Sequence, residues 1–371
     1  MALRYQNMHQ KSPPVSAKKL FTATLMSWHQ RHNTRQMPWK GEKDAYRIWL
    51  SEIILQQTRV EQGLAYYERF INRFPRITDL AAAQDDVVMK LWEGLGYYSR
   101  CRNLLATARF ISEELKGNFP DKYQDIRQLK GVGPYTAAAI ASFGFNLPYA
   151  VVDGNVYRVL SRVFGINLPS DSTEGKKYFA DLAQQLLDAQ QAGQYNQAIM
   201  DFGATVCKPQ SPLCGTCVFN KICVARQRNL IDQLPVKGKK LTMRTRHFNY
   251  FLLRSGKRLV IRQRTAKDIW QQLYELPLLE TAAEASTTEA SRFLEKEMGL
   301  KKTAYRIIEK SGCLQQQLSH QRIKAVFFTV ELSSPLPKVD GFNLVTEKES
   351  EQLAFPRLIR DYLDCLKGSL F

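Results

Sequence analysis

The chain of 371 residues has no apolar run approaching the roughly 20 residues that a membrane-crossing helix needs. Its N-terminus lacks the apolar core and small-residue cleavage site of a secretory signal, so the expected location is the cytoplasm. Residues 1–17 are polar, include Ser12-Pro13-Pro14, and are expected to form a disordered arm. Acidic residues are scarce, 35 against 53 Lys and Arg, which gives a net charge of +18 and a pI near 9.6. That imbalance points to a polyanionic partner. Asp232 is the only acid among residues 226–267, against thirteen Lys or Arg, a concentration suited to neutralising phosphates along one track. A membrane surface would attract the same charge, but no apolar face accompanies it. DNA or RNA is the expected partner.

Disulfide spacing is also missing. Seven cysteines are present, of which Cys101, Cys313 and Cys365 are scattered. Cys207, Cys214, Cys217 and Cys223 fall in the pattern C-x6-C-x2-C-x5-C. Four clustered thiolates in a reducing compartment imply a metal. Zinc sites usually pair two C-x2-C knuckles, and only one knuckle occurs here. The uneven spacing favours a compact loop around an iron–sulfur cluster, with zinc as the alternative.

Between residues 18 and 227 there is no convincing strand alternation. Apolar residues recur at helical spacing over 18–31, 45–74, 86–91, 102–115, 126–130, 135–143, 156–163, 175–189 and 194–207. Gly and Pro separate these segments. The expectation is an all-α domain over 18–230 and a basic linker over 231–246. An α+β domain over 247–371 should follow, with a hairpin turning at Ser255-Gly256-Lys257, a helix over 289–298 and a β-rich run over 322–332.

Four stretches carry chemistry. In DIRQLKGVGPYTAAAIASF (125–143), Gly131 and Gly133 make a tight turn ahead of a helix whose first position suits Pro134. Backbone N–H groups there suit a DNA phosphate, although an ordinary helical hairpin has the same pattern. In YAVVDGNVYRVLSRVF (149–164), Asp153 stands at a helix N-cap. A helix N-terminus is expected to lower its pKa and keep it ionised, ready to stabilise a positive sugar. Glu52 is flanked at helical spacing by Ile48, Trp49 and Leu55, with Gln56 the polar exception, so burial should raise its pKa. An acid paired with a charge stabiliser is the requirement of glycosidic cleavage. Gln57 and Thr58 continue the same expected helix, where their polar groups suit contact with bases. Leu95-Gly96-Tyr97-Tyr98 forms a Gly-flanked aromatic loop suited to wedging into a base stack.

SEIILQQT (51–58), GLGYYSR (94–100), LKGVGPYTAAAI (129–140), VVDGNVYRV (151–159) and the four-cysteine loop follow the order seen in helix–hairpin–helix DNA glycosylases. The chain most resembles the MutY-type adenine DNA glycosylases, over residues 20–230 and less closely beyond. The resemblance implies a [4Fe-4S] cluster on Cys207, Cys214, Cys217 and Cys223. It implies that Glu52 protonates a flipped adenine at N7, and that Asp153 stabilises or transiently bonds the oxocarbenium carbon. Tyr135 and Asn155 are then supporting polar groups, and Arg35 and Trp39 the wall of the adenine pocket. Gln57, Thr58, Leu95 and Tyr97 match positions beside 8-oxoguanine, the base opposite the target. The implied partner is duplex DNA carrying A opposite 8-oxoguanine or G, met by a monomer at a bacterial nucleoid.

The C-terminal domain resembles a Nudix-like 8-oxoguanine recognition domain. WQQLYELPLLE (270–280) matches part of that domain, but EASRFLEKEMGL lacks the R-E-x-x-E-E core of Nudix hydrolases, so pyrophosphatase activity is not expected. Leu318-Ser319-His320 aligns with a Phe-Ser-His loop that touches 8-oxoguanine. Leu318 replaces the ring, and Ser319 retains a hydrogen-bonding group. Two alternatives remain: a related glycosylase removing thymine from T·G pairs, and a non-enzymatic iron–sulfur DNA-binding protein. The second has no use for Glu52 and Asp153. Strand-cleaving relatives carry a nucleophilic Lys where this chain has Tyr135, which forms no Schiff base. Borohydride is therefore expected to trap almost none of the protein on DNA, and efficient trapping through a lysine would refute a monofunctional glycosylase.

Overall fold

The structure, a computed structural model, describes residues 12–238, 242–256, 258–333 and 339–368. Twelve helices precede the first strand among these residues. They are α1 (Val15–His32), α2 (Ala45–Leu55), α3 (Val60–Arg73), α4 (Ile77–Ala81), α5 (Asp85–Trp92), α6 (Ser99–Glu113), α7 (Tyr123–Gln128), α8 (Pro134–Phe145), α9 (Gly154–Phe164), α10 (Thr173–Leu186), α11 (Ala192–Thr205) and α12 (Val224–Gln227). Two compact units result: Met1–Tyr67 with Phe110–Lys240, and Glu68–Arg109 with Leu241–Phe371.

That grouping differs from a single helical domain over 18–230, and side-chain bonds explain the difference. Asp86 accepts from the Tyr274 hydroxyl at 3.1 Å, and Glu93 accepts from the Phe355 N–H at 2.9 Å and from Arg360 at 3.3 Å. Arg102 donates to the Gln271 carbonyl at 2.7 Å. Residues 68–109 thus belong to the second unit although their sequence is helical like the first.

Three other expectations are corrected. The arm expected over 1–17 ends sooner, because α1 starts at Val15 and Lys18 donates to Gln185 at 2.6 Å; residues 1–11 lie outside the described residues. The helix expected over 45–74 is two helices. Gln57 takes a left-handed φ of 56° and Thr58 N–H turns back to the Leu55 carbonyl, so the chain breaks between α2 and α3 without a Gly or Pro to announce it. The linker expected over 231–246 is cut short by β1 (Arg244–Ser255), where Arg244–Arg246 pair with residues 321–323 and Arg246 bonds Asp268 and Glu280. Lys257 of the expected turn and residues 239–241 of the linker are outside the described residues.

In the first unit, α9 is the central element. Asp153 caps it by accepting from Val156 N–H at 2.8 Å, Gly165 ends it at φ +67°, and Val156, Val159, Leu160 and Val163 pack with Phe21, Leu25, Phe179, Tyr195 and Phe202. The α7–α8 hairpin follows the sequence: Gly131 adopts φ 80°, Gly133 is the N-cap, and Pro134 takes the first helical position.

In the second unit, the remaining strands are β2 (Arg258–Gln263), β3 (Tyr274–Glu275), β4 (Leu278–Thr281), β5 (Tyr305–Lys310), β6 (Leu314–Gln317), β7 (Gln321–Leu332) and β8 (Asn343–Thr346). They form one mixed sheet of order β3-β2-β1-β7-β5, with β4 on β1, β6 on β7 and β8 on β2. β1 and β7 run parallel from Arg244↔Gln321 to Arg254↔Glu331. Alternation of side chains gives each face its own helix. Phe251 and Phe328 face α13 (Thr287–Lys296) through Phe293, whereas Phe327 stacks on Tyr362 of the last helix (Arg357–Gly368) at 3.8 Å.

Gly203 lets α11 approach α9 closely. A Cβ there would lie 2.6 Å from the Asn155 Cβ and 3.1 Å from the Asn155 carbonyl oxygen. Gly203→Ala is expected to cost about 1–3 kcal/mol, read as a lower melting temperature. An unchanged melt would show that α11 can withdraw at no cost.

Candidate active site

A cavity of about 1100 Å³ opens in the first unit. Its lining brings together Glu52, Gln57, Thr58, Gly131, Gly133, Tyr135, Asp153, Asn155, Arg35 and Trp39, residues drawn from four separate stretches of sequence.

Glu52 lies in the last turn of α2 and is only 7% exposed, because Ile48, Trp49 and Ile53 around it are core residues. Burial pushes its carboxyl up to about 7; the Tyr135 hydroxyl, donating to it, pulls the other way, and the Asp153 charge raises it further. Tyr135 stands at the first turn of α8 and its phenol is held protonated, pushed well above its usual range by burial and by both carboxylates. Asp153 departs from the sequence-based expectation of a lowered pKa. The Val156 and Asn155 hydrogen bonds do lower it, but burial outweighs them and the net direction is upward. The pair therefore divides by degree: the Asp153 charge helps to keep the proton on Glu52.

Asn155 donates from Nδ2 to Asp153 Oδ2 at 2.6 Å. Its carbonyl accepts from Arg158 Nη2 at 2.7 Å, and that guanidinium also reaches the carbonyls of Gly203 and Cys207, both at 2.7 Å. Since a guanidinium only donates, Arg158 fixes which way the Asn155 amide faces. Sequence reasoning missed Arg158. The available signal was a cation one turn from Asn155, on a helix whose other neighbours are apolar. Asp201 and Gln197 of α11 were missed as well, with only the polar interruptions in α11 to hint at them.

Arg35 and Trp39 lie on the loop between α1 and α2. Trp39 meets Tyr67 edge-on at 5.4 Å, and Arg35 is ion-paired with buried Asp201. Gln57 is exposed at the left-handed turn, Thr58 is half-buried, and Gly131 and Gly133 hold the hairpin turn.

In the second unit, Tyr97 is 44% exposed whereas Leu95 is buried at 6%, so of the two it is the Tyr97 ring that is open to solvent. Gly94 and Gly96 at φ 89° and 78° throw the ring outward, and the Tyr97 hydroxyl bonds the Ser319 hydroxyl. Ser319 and His320 form the two-residue turn between β6 and β7, closed by Leu318 N–H to the Gln321 carbonyl at 2.8 Å.

Cys207, Cys214, Cys217 and Cys223 line one small cavity beside Val163 and Phe202. No three His, Cys, Asp or Glu side chains among the described residues gather around a single ion position. Cys217 accepts from the Phe219 N–H, Arg162 approaches the Cys207 sulfur at 3.6 Å, and burial raises the Cys217 thiol to about 11. A donor set of four thiols, with N–H groups aimed at sulfur, fits an iron–sulfur cube, which binds each thiolate at a separate corner.

Comparison with known proteins agrees with this geometry. The family model described as the HhH-GPD superfamily of base excision DNA repair proteins matches residues 50–185, and the NUDIX domain model matches 249–365. The adenine DNA glycosylase of Buchnera aphidicola subsp. Acyrthosiphon pisum is 34% identical over 72% of this chain and 77% of its own length. The mouse adenine DNA glycosylase is 45% identical over 58% of this chain and 43% of its own. Among solved structures, a thermostable thymine-DNA glycosylase aligns at TM-score 0.53 and 28% identity, covering 57% of this chain and 98% of that one. A trapped endonuclease III–DNA intermediate shares the fold at TM-score 0.50 and 18% identity, over 57% and 98%.

A carboxyl pair and a helical hairpin lining one cavity, with a Nudix domain following, define a helix–hairpin–helix base-excision DNA glycosylase. DNA is its partner. Within that class, the chain belongs to the adenine DNA glycosylase family, the family of MutY.

A carboxyl whose pKa rises on folding stabilises the fold below its ordinary value of 4.5 and loses that advantage as pH climbs through about 7. The loss is on the order of 3 kcal/mol. Glu52→Gln is therefore expected to raise the melting temperature at pH 8 and change it little at pH 4. Equal shifts at both would mean that Glu52 is not the buried acid.

Proposed function

We propose that this protein hydrolyses the N-glycosidic bond of adenine mispaired with 8-oxoguanine or with G, after flipping the nucleotide into the cavity of the first unit, without an efficient lyase step. The observation that carries the reading is the cavity in which Glu52, Tyr135 and Asp153 converge, with Glu52 protonated up to about neutrality. Protonation at N7 by Glu52 draws the C1′–N9 electron pair onto the leaving base. Asp153 faces the positive charge that develops on the sugar, held there by Asn155 and the α9 N-terminus. Water then adds at C1′ and gives its proton to the Glu52 carboxylate, which closes the cycle. Tyr135 stays protonated and steadies Glu52 by a hydrogen bond.

Arg35 and Trp39 supply a wall for the base. Gly131 and Gly133 offer N–H groups to a phosphate, and Gln57 and Thr58 face the gap left by the flipped nucleotide. In the second unit, Tyr97, Leu318, Ser319 and His320 are assigned to 8-oxoguanine; the Tyr97–Ser319 bond supports treating them as one reading element. Cys207, Cys214, Cys217 and Cys223 are assigned to a [4Fe-4S] cluster. When bound, the cluster would brace loop 207–223 against α9, from which Arg158 and Arg162 hold that loop by its carbonyls.

Duplexes carrying A opposite 8-oxoguanine, A opposite G and T opposite G, each followed by alkali, test the reading. Strand breaks are expected at A, fastest opposite 8-oxoguanine, whereas faster release of T would overturn it. Asp153→Asn is expected to lower turnover roughly a thousandfold while leaving DNA binding intact. Near-normal turnover would remove Asp153 from this role.

A further inference from the structure

The Tyr97 loop is built around a buried cation that the hydrolysis does not use. Arg100, in the first turn of α6, is 9% exposed, and burial lowers its pKa to about 10, which leaves it charged at neutral pH. Its guanidinium carbon lies 5.3 Å from the ring centroid of Trp92 and 5.3 Å from that of Tyr97. Arg100 Nη2 donates to the Gly96 carbonyl at 3.3 Å, the same carbonyl that accepts from Trp92 Nε1 at 3.0 Å. The Arg100 backbone N–H closes the turn onto the Tyr97 carbonyl at 2.8 Å. A planar guanidinium stacks on aromatic faces and gives up its water more readily than an ammonium, so the position suits Arg and not Lys.

The two rings beside this cation differ in setting. Trp92 is wholly buried, edge-on to Phe70 at 5.7 Å, and gives the guanidinium a fixed floor. Tyr97 is open to solvent and sits on a backbone of φ 48°, a left-handed conformation that a bulky side chain rarely adopts. A residue in that conformation persists only where its surroundings hold it. The Ser319 hydroxyl holds the rim of the ring, and Arg100 covers a face. Without that cover the ring would sample other rotamers, and ordering it on contact with DNA would weaken binding.

We propose that Arg100 is a positioning residue that bridges the fixed Trp92 indole and the exposed Tyr97 ring, holding that ring preorganised for the base opposite the target adenine. The inference rests on the assignment of Tyr97 to 8-oxoguanine and adds what makes the ring a rigid element. Arg100 touches no base and acts through Tyr97. Its contribution therefore depends on the ring: once Tyr97 is removed, replacing Arg100 has nothing further to take away.

A double-mutant cycle on the full chain tests this, reading kcat/KM for adenine release opposite 8-oxoguanine and opposite G, with melting curves alongside. Tyr97→Leu is expected to lower the 8-oxoguanine-to-G ratio. Arg100→Met, which keeps much of the side-chain volume but no charge, should lower the same ratio about tenfold. Arg100→Lys, which keeps the charge but not the plane, should recover only part of that loss. In the Tyr97→Leu background, Arg100→Met should change the ratio by less than about twofold. A merely structural role would slow both substrates together, with or without the ring. An unchanged ratio in folded Arg100→Met, or an equal loss in both backgrounds, therefore overturns the inference and leaves the Tyr97 assignment standing. If Arg100→Met does not fold, Arg100→Lys passes through the same cycle under the same criterion. An unchanged ratio in Tyr97→Leu overturns the Tyr97 assignment itself, and the inference falls with it.

Discussion

Two carboxyls line one cavity, and the first unit is organised around that constraint. The charge of one opposes ionisation of the other, and the environment decides which keeps its proton. Glu52 sits where α2 buries an apolar face, with the Tyr135 hydroxyl as its hydrogen-bonding neighbour. Asp153 sits at the N-terminus of α9, with a backbone N–H, an amide and a nearby guanidinium in its favour. Burial acts on both, and the hydrogen bonds oppose it far more at Asp153. The asymmetry that acid chemistry needs is thus supplied by secondary structure, one carboxyl in a helix body and the other at a helix end.

Much of this was legible in the sequence because it depends on local rules. The Gly131 and Gly133 turn, Pro134 at a first helical position and the Asp153 cap each follow from short-range sterics and hydrogen bonding, and each appears where the sequence places it. The β-rich apolar run in residues 322–332 yields a strand buried on both faces, as a continuous apolar stretch requires. What escaped is non-local. The break at Gln57 carries no Gly or Pro, and the turn is stabilised by contacts such as Gln56 Nε2 to Thr136 at 3.3 Å, from 80 residues along the chain. Residues 68–109 read as one more helical stretch of the first domain. Their allegiance to the sheet-bearing unit depends on Asp86, Glu93 and Arg102 finding partners beyond residue 270. The direction of the Asp153 shift was misjudged because a helix end is visible in sequence, whereas the depth of the cavity around it is not.

The same non-locality explains why buried ions went unread. Arg158, Arg162 and Asp201 look like unremarkable surface charges on amphipathic helices. In the fold they are 8%, 2% and 0% exposed, and their partners are mostly backbone carbonyls or amides rather than opposite charges alone. An ion buried in this way is a poor source of stability, since its desolvation offsets most of what its bonds return. Its value is directional. Arg158 only donates, so the Asn155 amide must show its NH₂ to Asp153; the Gln197 amide turns its NH₂ to Asp201, which fixes it in the same way. An amide left alone is indifferent to such a reversal. Two buried ions of opposite sign remove that indifference from two amides that line the cavity, Asn155 and Gln197. In both places the fold gives up stability to hold a dipole in one orientation before any substrate arrives.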